Sequence, residues 1–405
     1  MKCILHIGTE KTATTTLQDW LYDNQVELSK VGVYLSDNLG KTNNRLVPAY
    51  FQGHLDDWAI SQGISSDAEK TQYFEGFIER LKSEIQTAKK THNYFVITSE
   101  HLHSRVRKKD EIEQLYIFLS SLFDEVEVIC YFRDQFDVAV SLYSTALKVN
   151  SFASVESFVA QAQPENYYYN YLQIADNWAG IFGKNNCNFR IYDRSKFIGN
   201  DIRLDFLSMI DDSIDAKNLN MDKAASNESL TVLQGAAFRA INRNIPYWRS
   251  DKLGMNTDNG HAKNMVLNVG SLKLGKITST EGELIRKNFS ETNALFFERY
   301  FTADDKFPIT QVESNGFLTF DDARTAVEDA FQLGLTIDAN TVDSLTDEQI
   351  NSLRDIALRI FDHKSNSIED ALALMKIALS QRPNGPLIKN KVEQWSALLK
   401  PKPNE

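Results

Sequence analysis

The feature that most constrains the fold is an alternation of short apolar segments with longer amphipathic ones. Four segments are rich enough in apolar, β-branched and aromatic residues to be buried strands: 2–8, 93–100, 125–132 and 186–193. Helical patterns lie between and after them: 16–32, 67–90, 110–122, a stretch from Asp134 onward, and 201–210. Strands that alternate with helices call for a parallel sheet covered on both faces. The expected fold class is therefore α/β, with a central parallel sheet flanked by helices.

The C-terminal part has a different pattern. Residues 225–300 are helical in periodicity, and a Gly-, Pro- and Asp-rich stretch after Phe301 marks a boundary. Beyond it, residues 321–400 have helical patterns only, with two helices joined at Pro383–Pro386. We expect two domains: residues 1–305, and an all-helical C-terminal extension of unknown role at residues 306–405.

Charge and composition exclude several classes of protein. Lys and Arg number 44 against 55 Asp and Glu, a net charge of −11, which argues against a general nucleic-acid binder because such proteins need a basic footprint. No apolar run approaches the roughly 18 residues of a membrane span, and the first apolar stretch is too short for a signal peptide. Three cysteines fit neither a disulfide framework nor a zinc site. We expect a soluble, cytoplasmic protein.

The loop after the first strand, GTEKTATTT at 8–16, carries one lysine and a run of hydroxyls where the strand turns into a helix. A helix N-terminus offers unpaired N–H groups and a positive dipole end, so it is a natural phosphate seat. Lys11 adds a full charge. A threonine that only caps the helix is the alternative. The loop is not a Walker A motif, because Gly8 precedes Lys11 by only three positions and Glu10 stands directly before the lysine.

HIGTEKTATTTLQ resembles the 5′-phosphosulfate-binding loop of sulfotransferases that use 3′-phosphoadenosine 5′-phosphosulfate (PAPS). The core of that loop is Lys-Ser/Thr-Gly-Thr-Thr, and Ala13 stands here where the family has glycine. A side chain at this position affects how closely the backbone approaches a phosphate. The resemblance implies that six residues hold the 5′ end of PAPS: Lys11, Thr12, Ala13, Thr14, Thr15 and Thr16.

A second resemblance lies at the third expected strand, in YFRDQFDVAVSLY at 131–143. It is similar to the family's 3′-phosphate motif, Arg-Asn-Pro-x-Asp-x-x-x-Ser. Arg133 and Ser141 stand eight positions apart, as that motif requires, although Asp134 and Gln135 replace Asn-Pro. An arginine fork and a serine hydroxyl could converge on one phosphate. The alternative for Arg133 is a surface ion pair with Asp134 or Asp137.

The resemblance covers about residues 1–305 and implies the P-loop-like sulfotransferase fold of soluble prokaryotic-type members. Only the two motifs described above are specific. Tyr192, in FRIYDRSKF, lies where family members place a tyrosine near the adenine. A buried core tyrosine is the alternative for this position.

The family's reaction transfers a sulfuryl group from PAPS to an acceptor hydroxyl, releases adenosine 3′,5′-bisphosphate (PAP), and requires no metal. The sequence shows no convincing metal-ligand cluster. Lys11 suits the leaving oxygen, where negative charge develops. The base is expected in TSEHLH at 98–103, where Glu100, His101 and Leu102 fall on the family's Thr-His-Leu. Neutral imidazole is a fair base and glutamate needs a raised pKa, so His101 is favoured and Glu100 stays open.

The acceptor cannot be identified from the sequence, although a carbohydrate hydroxyl is favoured. The basic run Arg105, Arg107, Lys108 and Lys109 could meet an anionic acceptor or form a solvated helix face. The tyrosines at 167–169 and 171 could line a sugar groove or simply pack, and Asn43, Asn44 and Arg45 lie in a loop that could border the cleft. Two other functions compete: a kinase-like phosphoryl transferase, and a non-catalytic nucleotide-binding or scaffold protein.

Overall fold

A computed structural model of the chain describes residues 1–153, 155–222, 229–247, 256–268, 279–309, 347–362 and 368–399. The chain divides into two compact units, and both are discontinuous in sequence. The first comprises Met1–Leu142, Val155–Glu228 and Ser279–Gln311. The second comprises Tyr143–Ser154, Ser229–Thr278 and Val312–Glu405. The expected domain boundary near residue 305 stays a prediction.

A five-stranded, fully parallel sheet forms the centre of the first unit, so the expected fold class is confirmed. Its strands are β1 (Lys2–His6), β2 (Val33–Leu35), β3 (Tyr94–Thr98), β4 (Glu125–Phe132) and β5 (Cys187–Ile191). Their order in the sheet is β2-β3-β1-β4-β5. The four expected strands are present, and β2 is an additional three-residue strand on the edge.

Helices connect the strands of the first unit. Those before β4 are α1 (Thr14–Asp23), α2 (Gln25–Lys30), α3 (Leu46–Phe51), α4 (Asp57–Ser61), α5 (Asp67–Tyr73), α6 (Phe77–Ala88), α7 (Glu100–Arg105) and α8 (Lys109–Ser120). Those after β4, through both units, are α9 (Gln135–Val149), α10 (Val155–Val159), α11 (Tyr171–Phe182), α12 (Ile202–Ile210), α13 (Val232–Asn244), α14 (Thr257–Asn268), α15 (Ser279–Asn288) and α16 (Ser290–Tyr300). The helical stretch expected over 67–90 is two helices, because Gly76 adopts a left-handed conformation (φ 69°) between them.

Alternate residues of the central strands pack on opposite faces of the sheet, as a period of two requires. On one face, Cys3, Leu5 and Phe132 join a core that includes side chains from α6, α8 and α11. On the other face, Ile4 and Tyr131 pack with side chains from α1, α2 and α12. Burial on both faces explains why the strand segments are nearly continuous apolar runs rather than alternating ones.

The second unit is helical in the part that the structure describes. Its last three helices are α17 (Asp347–Asp362), α18 (Ile368–Gln381) and α19 (Pro386–Leu398). They share a core in which the Phe361 and Trp395 rings stack with centroids 4.5 Å apart. The two helices expected around Pro383–Pro386 are therefore present as α18 and α19. α17 also lies within the helical pattern expected over 321–400, whereas residues 321–346, 363–367 and 400 lie outside the described residues.

Candidate active site

The loop that follows β1 lies between the ends of the two neighbouring strands. Because β1 pairs with β3 on one side and β4 on the other, the residues after all three strands emerge at the same edge of the sheet. Ligands of open parallel sheets bind beyond this carboxyl edge. The loop of Gly8–Ala13, the segment from Glu100 and the segment from Arg133 all begin here, so the sheet brings the three predicted groups of residues together.

The loop has an unusual backbone. Gly8, Lys11 and Ala13 have positive φ angles of 50°, 70° and 59°. A Cβ atom on Gly8 would lie 3.0 Å from Thr14 Cγ2 and 3.4 Å from Glu100 Cα, so only glycine fits against both neighbours. Left-handed residues placed among ordinary ones turn successive N–H groups toward a common point, which creates an anion-binding concavity. The chain thus has the backbone shape that a phosphate seat needs.

The threonines of the loop do not cap the helix. The N-cap residue of α1 is Ala13, and no side chain caps this helix end. Thr12 is buried and its Oγ1 donates to the carbonyl oxygen of Thr9 (2.6 Å), while Thr9 Oγ1 donates to the carbonyl of Tyr131 (2.8 Å). Thr14 is also buried, Thr16 is half-buried and Thr15 is exposed. The buried hydroxyls therefore brace the loop against β4, and the first turn of α1 lacks a side-chain cap.

Replacing Ala13 by glycine is expected to raise the free energy of unfolding by about 1 kcal/mol. A left-handed non-glycine residue costs about 1–2 kcal/mol, and the extra freedom of glycine in the unfolded chain offsets part of the gain. Urea unfolding would measure the change. Ala68→Gly is the matched control, because Ala68 is exposed in the ordinary helix α5 and should lose stability. A loss of similar size in both variants would contradict the prediction.

Arg133 follows β4 and binds the loop directly. Its Nη1 donates to the carbonyl oxygen of Lys11 (3.0 Å), and its own carbonyl accepts from the Tyr171 hydroxyl (2.6 Å). Its Nε lies 3.6 Å from Asp137 Oδ2, so the ion pair considered as an alternative exists alongside the loop contact. Asp134 binds Arg286 instead, at 3.0 and 3.1 Å. Arg133 is thus fixed beside the loop, with 28% of its side chain exposed.

Tyr192 and Ser141 are the two other residues predicted for the nucleotide site, and Tyr192 lies at the same edge. The Arg133 guanidinium lies over the Tyr192 ring at 5.6 Å, and the Tyr192 ring also contacts Phe197, with centroids 5.5 Å apart. Tyr192 directly follows β5 and is half-buried. Ser141 is half-buried two turns into α9. Tyr192 therefore has both a core contact and a contact with the candidate phosphate-binding arginine.

Glu100 and His101 open α7, on the other side of the loop. Gln18 Nε2 donates to Glu100 Oε2 (2.6 Å), and Glu100 Oε1 lies 3.8 Å from His101 Nε2. His101 Nε2 also lies 3.4 Å from the amide nitrogen of Asn43. Burial lowers the pKa of His101; Glu100 opposes this shift and Arg45 adds to it. The imidazole is consequently neutral at pH 7 and able to accept a proton.

Glu10, the acidic residue next to Lys11, is held by α7 and the segment after α10. Its Oε2 accepts from the Tyr168 hydroxyl (2.9 Å). Burial alone would raise the pKa of Glu10, but polar contact with Ser104 and Tyr168 and the nearby His103 imidazole lower it. Burial lowers the pKa of His103 to about 4, so that imidazole is neutral and its Nε2 lies 3.1 Å from the Tyr168 carbonyl oxygen. The half-buried carboxylate of Glu10 is thus held in place by a hydrogen bond from Tyr168.

The other residues considered for the acceptor have different surroundings. Tyr169 and Tyr171 are buried, and the Tyr171 ring packs against the Phe132 ring. These contacts favour a role in core packing over a role in lining a sugar groove. Arg107, Lys108 and Lys109 are exposed. Arg45 is buried, and Asn44 Oδ1 accepts from the Thr98 amide (2.8 Å). The loop of Asn43–Arg45 therefore borders the end of β3, beside His101.

Sequence reasoning missed several partners of the predicted residues. Gln18, Glu10, Tyr168 and Arg286 each contact a predicted residue or its neighbour across 80 or more positions. Glu10 beside Lys11 and the tyrosine run that includes Tyr168 carried a signal in the sequence, whereas Gln18 and Arg286 did not. Within the described ranges, no group of three or more His, Cys, Asp or Glu side chains is arranged to hold a metal ion. No helix in that part of the chain is long and apolar enough to cross a membrane.

Comparisons with known proteins give limited information. No family model matches the chain. A protein of Archaeoglobus fulgidus, described as uncharacterized, is 27% identical over 191 residues, and the match spans 46% of this chain and 49% of that relative. A crystal structure of a sulfotransferase from Alicyclobacillus acidocaldarius aligns with 55% of this chain and 85% of its own, at 12% identity and a TM-score of 0.35. A TM-score this low does not establish a shared fold.

Proposed function

We propose that the chain is a sulfotransferase that moves a sulfuryl group from PAPS to an acceptor hydroxyl. One observation carries the proposal: the Lys11 loop, with the uncapped N-terminus of α1, lies between Arg133 and the pair Glu100–His101. Arg133 donates to the Lys11 carbonyl at 3.0 Å, and a Cβ atom on Gly8 would lie 3.4 Å from Glu100 Cα, so the loop packs directly against the start of α7. An anion seat, a second cation and a candidate base therefore share one edge of the sheet.

Each residue has a proposed role. The backbone N–H groups at the start of α1, with Thr14, Thr15 and Thr16, hold the 5′-phosphate, and Thr12 and Ala13 shape the loop. Arg133 and Ser141 hold the 3′-phosphate, and Tyr192 contacts the adenine. PAPS supplies the sulfuryl group, and PAP is the product. Lys11 neutralises charge on the leaving oxygen.

The acceptor proton needs a base at the same edge of the sheet. His101 is the favoured base because it is neutral at pH 7, and Glu100, 3.8 Å away, orients the imidazole and stabilises its protonated form. The amide of Asn43, the carboxylate of Glu100 and the imidazole of His101 give this region hydrogen-bonding groups suited to a hydroxyl-rich acceptor, so we propose a carbohydrate. We propose no metal in the reaction, and a cytoplasmic location stays part of the proposal.

Thermal shift with three nucleotides tests the proposal. PAP at about 100 times its dissociation constant should add roughly 2.7 kcal/mol to stability, and AMP, which lacks the 3′-phosphate, should add much less. Arg133→Met should remove most of the difference between PAP and AMP. A larger shift with ATP and magnesium than with PAP would favour a kinase-like enzyme and contradict the proposal. Equal, small shifts with all three would favour a scaffold protein.

A further inference from the structure

Two guanidinium groups share one buried carboxylate close to the candidate base. Arg45 Nη2 and Arg105 Nε (3.1 Å) both bind Oδ2 of Asp56, whose side chain is 6% exposed. The second acidic partner of Arg105 is Asp57, at 3.5 Å, but its side chain is 86% exposed. A contact with so exposed a carboxylate contributes little. Two cations therefore share one buried anion.

Arg45 is also short of a hydrogen-bond partner. The residue is 6% exposed, and its Nη1 is buried without a hydrogen-bond partner among the described residues. The guanidinium also lies over the Trp58 ring, 5.0 Å from its centroid. A buried donor on a charged group is costly to leave unsatisfied, and such a group commonly marks a place where a ligand or water belongs.

The two arginines lie next to the residues proposed to activate the acceptor. Asn43, two positions before Arg45, contacts His101, and Arg105 ends the same short helix that His101 opens. Both guanidinium charges act to lower the pKa of His101, so both are within electrostatic reach of the imidazole. A group bound by the arginines would therefore belong to the molecule whose hydroxyl meets His101.

We infer that Arg105 and Arg45 bind an anionic group of the acceptor, so that the acceptor is an acidic carbohydrate. This inference rests on the proposed sulfotransferase function. Arg105, with 23% of its side chain exposed, is the contact at the rim, and an acceptor anion displaces the loosely held Asp57. Arg45 is the buried charge behind it. The planar guanidinium of an arginine can donate two parallel hydrogen bonds to a carboxylate or to a sulfate ester, so either anion could bind here.

Calorimetry on the full chain with PAP bound tests the inference. Three disaccharides of the same linkage serve as probes: one with a glucuronate, one with a sulfate ester, and a neutral one. At least one acidic probe should bind more tightly than the neutral probe, and the two acidic arms identify the preferred anion. Arg105→Met should weaken binding of that probe by about 10- to 100-fold, the loss expected for a hydrogen bond to a charged group, and leave the neutral probe unchanged.

Lys109→Met is the matched control, because Lys109 is an exposed cation four positions away and should not discriminate between the probes. Arg45→Lys keeps a positive charge beside Asp56 but removes the planar guanidinium. This variant should lose part of the preference for the acidic probe. The PAP thermal shift shows that each variant is folded. Equal binding of neutral and acidic probes, no binding of any probe, or equal losses in Arg105→Met and Lys109→Met would overturn the inference. A failure of the proposed function is distinct: PAPS would give no sulfuryl transfer while the acidic probe still bound.

Discussion

Replacing Lys11 by methionine is expected to lower the rate of sulfuryl transfer by about 10²–10³-fold, the loss typical of removing one group that stabilises transition-state charge. The loop around Lys11 is shaped by the positive φ angles of Gly8, Lys11 and Ala13, so the ammonium extends from a fixed backbone. Methionine has a similar length without the charge. Single-turnover transfer from PAPS, followed by release of PAP, would measure the effect on the chemical step.

Two further variants test whether the loss of rate comes from removing the charge at Lys11. Lys11→Arg retains the charge and should keep nucleotide binding while transferring more slowly, because the guanidinium is bulkier. Lys30→Met removes an exposed cation that pairs with Glu27 in α2, and should leave the rate unchanged. A Lys11→Met rate within a few-fold of the unaltered protein would refute a catalytic role for the lysine.

Removing the base is the second large effect. His101→Ala should lower the transfer rate by about 10²–10⁴-fold, the usual contribution of general base catalysis. Glu100→Gln should cost less, since it leaves the imidazole in place and removes only the carboxylate 3.8 Å from it. His92→Ala is the control, because His92 precedes β3 at the opposite edge of the sheet. If Glu100→Gln caused the larger loss, the glutamate would be the base instead.

The pH profile gives a second measure of the same assignment. A base works only when deprotonated, so the rate should fall as the pH drops through the pKa of His101. Because burial lowers that pKa below its ordinary value of 6.5, the midpoint of the decline in rate should lie below pH 6.5. The acidic limb should be absent from the residual activity of His101→Ala. A limb centred above pH 6.5 in the unaltered protein would contradict the assignment.

Local sequence was sufficient where burial alone decides structure. Strands β1, β3 and β4 are largely buried on both faces, and a parallel sheet between helices hides such segments. β2 was not predicted because it has three residues and begins directly after Gly32, with too little length for a periodic signal. The split between α5 and α6 depends on the left-handed Gly76, which a helical hydrophobic pattern does not reveal.

The candidate site was predictable only in part, for a related reason. The loop and Arg133 each carry a local motif, and Arg133 does bind the loop. The contacts of Gln18 with Glu100 and of Asn43 with His101 depend on which strands are neighbours in the sheet. No single segment of the sequence predicts the order of the strands. Asp134 illustrates the same limit: the adjacent Arg133 was considered as an alternative partner, but Asp134 binds Arg286, 152 residues later. Long-range pairing decides such contacts.

The position of β1 has a consequence for how the chain is made. β1 precedes its sheet partners in the chain, yet it lies in the middle of the sheet, between partners that begin at Tyr94 and Glu125. Its central residues Cys3, Ile4 and Leu5 are fully buried in the folded sheet and have no sheet partner until β3 and β4 follow. Closing such long loops is entropically slow, and an unpaired strand is prone to aggregate. Nascent chains that end before residue 132 should therefore depend on chaperones to keep this strand from pairing with other chains.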